Sequence, residues 1–206
     1  MKRILLVFLI LFSIFSFAND VYSIKMGETS LGTSVLLEIS SDIYKVITTI
    51  EYGTEFVVES TTTFEGPYFK DYVVSFSVDG TLTGEITGNY DGKVANFVFE
   101  SQVGSNTVSI NRQKLVILDN NFILSHFLKI IEYPAPTFEL VIPQLLFNPS
   151  KTEYAVGKAS LKKDGDIFEI SYQEEKILIT FKNGKILKIE YPSSSIIVEL
   201  VDSENL

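Results

Sequence analysis

No cysteine and no tryptophan occur in the 206 residues, and His126 is the one histidine. Without cysteine there can be no disulfide, no thiol nucleophile and no bacterial lipoprotein anchor, which is built on an N-terminal cysteine. A single histidine cannot furnish a histidine-rich metal site. A serine triad would need His126 as its base, yet the adjacent Ser125 points about 100° away if both lie on a helix. The stretch "VGSN" at 103–106 lacks the G-x-S-x-G elbow. "KKDGDIFE" at 162–169 lacks calcium-loop spacing and reads as a hairpin turn. Glu38, Glu59, Glu85 and Glu169 fall on the polar parity of alternating segments, as on a solvated face. We therefore expect no catalytic residue, no metal, no cofactor and no enzymatic activity. A carboxylate-based hydrolase is the one catalytic alternative, because separation in space is invisible in a sequence.

Positive charge is also scarce: 17 Lys and Arg against 26 Asp and Glu give a net charge of −9. Two of the cations, Lys2 and Arg3, open "MKRILLVFLILFSIFSFAND". There a basic start precedes the apolar Ile4–Phe15 and the small-residue motif Ser16-Phe17-Ala18, the three parts of a secretory signal. The apolar run is shorter than the roughly 20 residues that cross a bilayer. Residues 1–18 are thus expected to be a signal peptide and 19–206 a single domain. The mature protein would be periplasmic or secreted, with no stable transmembrane anchor. Losing Lys2 and Arg3 takes the charge from −9 to −11, which should repel nucleic acid and anionic membrane surfaces.

What is present is alternation. Tyr72, Val74, Phe76 and Val78 alternate with Ser75 and Ser77. Phe56, Val58 and Phe64 share a parity with Ser60 and Thr62, and Phe168, Ile170 and Tyr172 repeat the pattern. Period-two patterning marks half-buried strands. Asp79-Gly80, Asp91-Gly92, Asp164-Gly165 and Asn183-Gly184 supply hairpin-turn chemistry, so successive strands should be antiparallel neighbours. Strands are predicted near 21–27, 33–40, 43–52, 55–64, 70–79, 81–90, 93–102, 106–112, 114–118, 137–142, 152–162, 166–173, 176–182, 185–191 and 195–201. So long a twisted meander must curl. The expected fold is mainly β: an antiparallel meander curled into a barrel or half-barrel with a concave apolar face.

The alternation stops in "LVILDNNFILSHFLKIIEYPAP". Asp119 and Asn120 can cap a helix start, and Pro134 and Pro136 stop its end. Between them apolar residues cover most of the circumference, leaving Asn121, Ser125, Lys129 and Glu132 as one narrow stripe. One apolar helix over about 121–131 is predicted on the concave face, directing Phe122, Phe127 and Ile131 to the sheet. Asp119, Asn120, Asn121 and His126 read either as caps plus a structural histidine at the helix border, bonded to a carbonyl, or as a polar patch at a cavity mouth. Phe64, Pro67, Tyr68 and Phe69, in "TFEGPYFKDY", either fold back over the barrel end or form a lip for a hydrophobic ligand or partner.

These features together resemble the LolA/LppX-like superfamily, periplasmic half-barrels with helical plugs. "VYSIKMGETSLGTSVLLEI" looks like the opening of DUF3108-type periplasmic domains. "FEISYQEEKILITFKNGKILKIEYPSSSIIVEL" looks like their close, and "LDNNFILSHF" is similar to a segment before their central crossover. The chain departs from the group in lacking tryptophan and a lipid-attachment cysteine. The resemblance implies carriage of lipids or lipidated proteins. The expected partner is accordingly a hydrophobic or amphipathic small molecule, or an envelope protein, with Phe122, His126, Phe127, Ile131, Phe64, Tyr68 and Phe69 as candidate ligand contacts. The alternative is a non-catalytic structural or interaction protein of the envelope with a solidly packed barrel.

Overall fold

A computed structural model describes residues 19–119 and 121–201. Residues 1–18, expected to be a signal peptide, and Asn120 lie outside the described residues. Fifteen strands form one sheet: β1 (Asn19–Met26), β2 (Thr29–Ser40), β3 (Ile43–Glu51), β4 (Glu55–Glu65), β5 (Tyr68–Val78), β6 (Thr81–Tyr90), β7 (Val94–Ser101), β8 (Gly104–Asn111), β9 (Leu115–Ile117), β10 (Thr137–Val141), β11 (Val156–Asp164), β12 (Ile167–Tyr172), β13 (Glu175–Lys182), β14 (Lys185–Tyr191) and β15 (Ile196–Leu200). Their spatial order is β8-β7-β6-β5-β4-β3-β2-β1-β15-β14-β13-β12-β11-β10-β9, so the sheet is a meander left open between β8 and β9. Most strands bury one parity, as the alternation requires, whereas β8 buries no residue and β9 buries all three. Val58, Ser60, Thr62 and Phe64 of β4 face inward with Tyr44 and Val46 of β3 and Tyr72 and Val74 of β5.

All four turn dipeptides join antiparallel neighbours, by two backbone conformations. Asp79-Gly80 and Asn183-Gly184 have positive φ at both residues, 47° and 74°, then 54° and 78°. At Asp91-Gly92 and Asp164-Gly165 only the glycine does. In the former, Asp91 Oδ1 instead accepts the backbone N–H groups of Lys93 and Val94 at 2.8 and 2.7 Å. A Cβ added at Gly184 would meet nothing within 4 Å, so the cost of Gly184→Val comes from its left-handed φ of 78°. A β-branched residue in the left-handed region should destabilise by about 1 kcal/mol or more. Urea unfolding checks this; an unchanged midpoint would remove the strained turn.

Two expectations are corrected. Successive strands are antiparallel partners except across residues 112–136. β8 and β9 are consecutive in sequence but form opposite edges of the sheet, and β9 pairs with β10 in parallel. Lys114, at φ 55°, turns the chain away after β8. β9 then lies against β5, and the Leu115 N–H donates to the hydroxyl of Tyr90, at the end of β6, at 3.2 Å. Secondly, the strand expected from 152 begins at Val156. Before it lie the short helix α2 (Pro143–Leu146) and a 3-10 turn over Thr152–Tyr154, in which no residue is buried. The backbone bonds of this stretch close locally, the Tyr154 N–H onto the Lys151 carbonyl at 3.0 Å and the Ala155 N–H onto the Thr152 carbonyl at 3.1 Å, which leaves neither N–H for a strand partner.

The helix α1 spans Leu124–Glu132 and starts later than predicted. Phe122 has a left-handed φ of 61°, which α-helical geometry cannot accommodate. Ile123 is the N-cap, and no side chain caps the helix. Asp119 serves the preceding turn instead, its Oδ1 accepting the Asn121 backbone N–H at 2.8 Å. Every residue from Leu124 to Ile131 is buried, so α1 fills the concave side and is apolar to its surroundings all round. Of the polar stripe, Ser125 and Lys129 are buried while Glu132 is exposed. Lys129 Nζ donates to the Ser41 carbonyl at 3.0 Å and to Glu132 at 2.9 Å, over the Tyr44 ring.

Candidate binding site

The carboxylate that precedes α1 does not open to solvent. Asp119 is fully buried; its Oδ2 accepts the Tyr72 hydroxyl and the Gln144 amide, and its Oδ1 accepts the Asn121 side chain at 2.9 Å. Burial raises the Asp119 pKa, and these hydrogen bonds oppose the rise. Burial, reinforced by the Asp119 charge, pushes the Tyr72 hydroxyl well above its ordinary value.

His126 is also fully buried, not at the helix border. Its Nδ1 accepts the Asp119 backbone N–H at 2.9 Å, so the proton of the neutral ring sits on Nε2, which donates to Thr62 Oγ1 at 3.0 Å. The expected carbonyl partner is thus replaced by an amide N–H and a hydroxyl. With both nitrogens occupied and no water contact, burial lowers the His126 pKa to about 3. The ring is a neutral tie between β4, the turn after β9, and α1, and it is placed neither to move protons nor to orient an external ligand head.

The apolar candidates divide in two. Phe64, Phe69, Phe127 and Ile131 belong to the core. Phe122 is partly buried, its ring edge-on to Tyr191 at 5.6 Å. The turn in "TFEGPYFKDY" is only Gly66-Pro67, because β4 reaches Glu65 and β5 begins at Tyr68. Phe64 and Phe69 therefore point inward as strand residues, the latter stacked on Tyr90 at 5.4 Å. Tyr68 is different: it stands between two clefts at the same end of the barrel.

The first cleft, about 360 Å³, lies where the open seam meets the end of α1. Its apolar wall comes from Pro67 and Tyr68, Val116 of β9, Ile130 and Tyr133 from the end of α1, and Phe138 of β10. Gln113, Lys114, Glu139 and Lys158 supply its polar rim. The second, about 660 Å³, is larger but runs between two hairpin turns, with Glu65, Lys70 and Asp91 along it over Phe69 and Tyr90. Ligand sites are mostly apolar concavities with a few polar groups; both clefts are of that kind, and the first draws its wall from more separate elements. The sequence pointed to Tyr68 but not to Val116, Ile130, Tyr133 or Phe138. One signal was available: "EYPAPTF" sets two rings around a proline-locked exit from a buried helix.

Among the described residues, no cluster of His, Cys, Asp and Glu could hold a metal ion, and no helix is long and apolar enough to cross a membrane.

The fold defines a barrel-like β-protein, one open sheet curled around a buried helix with a cleft at one end. It is similar to the crystal structure of a beta-barrel-like protein of the domain of unknown function DUF1849 from Brucella abortus, with a TM-score of 0.54 at 12% identity over 89% of this chain and 94% of that one. At such identity the likeness shows the fold alone. No protein-family model matches the chain, and no curated protein matches it.

Proposed function

We propose that this is an exported, non-catalytic binding protein of the cell envelope. It takes a hydrophobic or amphipathic ligand in the cleft beside Tyr68 rather than in the hollow of the sheet. The observation that carries this reading is the contrast between the two places. The concave face is occupied by α1, whose residues Leu124–Ile131 are all buried. The 360 Å³ cleft offers an aromatic and aliphatic wall drawn from separate elements. The lipid-carrying LolA/LppX-like proteins, which the sequence resembles in pattern, suggest the same class of ligand.

Native mass spectrometry on protein gently purified from its host tests both parts. The expected species is a chain beginning at Asn19 with a non-covalent amphiphile. That adduct should be lost in Phe138→Glu, which places a charge in the wall. A chain retaining residues 1–18 would make it anchored instead. A mature chain with no adduct, and no saturable binding of the neutral probe N-phenyl-1-naphthylamine, would leave the second reading. That reading is an envelope structural or interaction protein, and the closely filled interior is what favours it.

A further inference from the structure

We infer that the cleft beside Tyr68 selects a single-chain amphiphile with an anionic head, in the manner of a free fatty acid, and that Lys114 and Lys158 receive the carboxylate. This rests on the binding function proposed above and adds the ligand's charge and size.

The protein as a whole is acidic, with a net charge of −9. Along the rim of this cleft the balance reverses: Lys114 and Lys158 stand against Glu139 alone. Glu139 is the cross-strand partner of both Leu115 and Lys158, yet among the described residues neither Lys114 nor Lys158 makes a salt bridge. Salt bridges among the described residues are made instead by Lys45, Lys129, Lys176, Lys182, Lys185 and Lys188. Two exposed cations therefore flank an apolar wall with their charge unspent. The neighbouring cleft carries Glu65 and Asp91 against Lys70, so an anion approaching Tyr68 is turned toward the lysine side. Volume sets the size. At about 360 Å³ the cleft lies near the lower end of the usual range for small-molecule sites, about 300–1,000 Å³. That suits one tail and not the two chains of a phospholipid.

The test displaces N-phenyl-1-naphthylamine from the purified protein with three competitors, each below its micelle concentration. These are laurate, dodecyltrimethylammonium and the uncharged dodecanol; vesicles of phosphatidylglycerol form a fourth arm. Laurate should compete about tenfold better than dodecyltrimethylammonium at low salt. That preference should shrink as salt is raised, since exposed charges are screened. The double substitution Lys114→Gln and Lys158→Gln should abolish the preference, whereas Lys25→Gln on β1 should keep it. Circular dichroism confirms that the variants fold. If laurate and dodecyltrimethylammonium compete equally, or the preference survives the double substitution, the anionic-head inference is overturned while the binding function stands. Competition by the vesicles but not by laurate overturns the single-chain assignment. A protein that binds neither the probe nor any competitor loses both the inference and the function beneath it.

Discussion

Acidification from pH 6.5 toward 3 is expected to remove about 5 kcal/mol of folding free energy through His126 alone. The group titrates near 6.5 when unfolded and at about 3 in the fold. Each unit of that difference corresponds to about 1.4 kcal/mol. The sign follows from which state takes the proton. A depressed folded pKa means that the unfolded chain binds the proton first. The stabilisation is therefore complete above 6.5 and is lost as pH falls toward 3. Physically, a proton on Nδ1 would meet the Asp119 N–H donor head-on, and the charge would lie in a fully buried site.

Asp119 works in the opposite direction. Its raised carboxyl favours the fold most below the ordinary carboxylate range and less as pH rises through its folded value. The two contributions separate in His126→Gln, which keeps Asp119 but cannot be charged. Urea unfolding of both proteins across pH 3–7 should give a steeper acid decline for the wild type, by up to about 1.4 kcal/mol per pH unit. Equal slopes would mean that the buried ring is not the acid-sensitive group.

Truncating Phe127 to alanine should cost about 3–5 kcal/mol. The ring is 1% exposed and sits on the inner side of α1, edge-on to Tyr191 at 6.5 Å. Removing it leaves a void lined by helix and sheet residues that are themselves tied in place, so little collapse can recover the loss. With a urea slope of about 1–3 kcal/mol per molar, the midpoint should fall by at least about 1 M. Far-ultraviolet dichroism is the suitable probe, since the chain has no tryptophan. Phe127→Leu, which keeps most of the volume, should cost much less. A small loss in Phe127→Ala with altered N-phenyl-1-naphthylamine binding would mean that the ligand space lies under α1 rather than at the barrel end.

The strands were legible because two local signals agree along nearly the whole chain. Apolar parity in segments such as Tyr72–Val78 marks each strand, and dipeptides such as Asn183-Gly184 mark its end. The buried helix was legible for the same kind of reason, since "FILSHFLKII" has no polar face wide enough for solvent. The parallel β9–β10 pair was not. Leu115–Ile117 is a three-residue apolar run with no alternation, and only a distant segment decides its partner. The inward polar layer was visible as Ser60 and Thr62 on the parity of Val58 and Phe64. Its meaning depends on Ser34 meeting Thr48, and Thr62 meeting His126, across 14 and 64 residues. The cleft was hidden because its wall is assembled from remote pieces, each of which reads alone as turn or core. His126 was misplaced at a border for a related reason. Its two partners, an amide N–H and a threonine hydroxyl, leave no trace in the periodicity of the helix that carries it.

The position of β1 and β15 in the sheet bears on the order of assembly. They are the first and last strands in sequence, yet they pair at its centre, Tyr22 opposite Leu200 and Ser23 opposite Glu199. Each half of the chain can zip locally, β2 through β8 on one side and β10 through β14 on the other, at the low loop-closure cost of hairpins. Neither half is finished alone, because each presents a raw inner edge until the final strand arrives. Ribosomal synthesis, or passage through a membrane in N-to-C order, would deliver that strand last. The closing of the sheet is therefore timed by the arrival of β15, and the interval before β15 pairs is when an unpaired β1 is most open to pairing with the wrong partner.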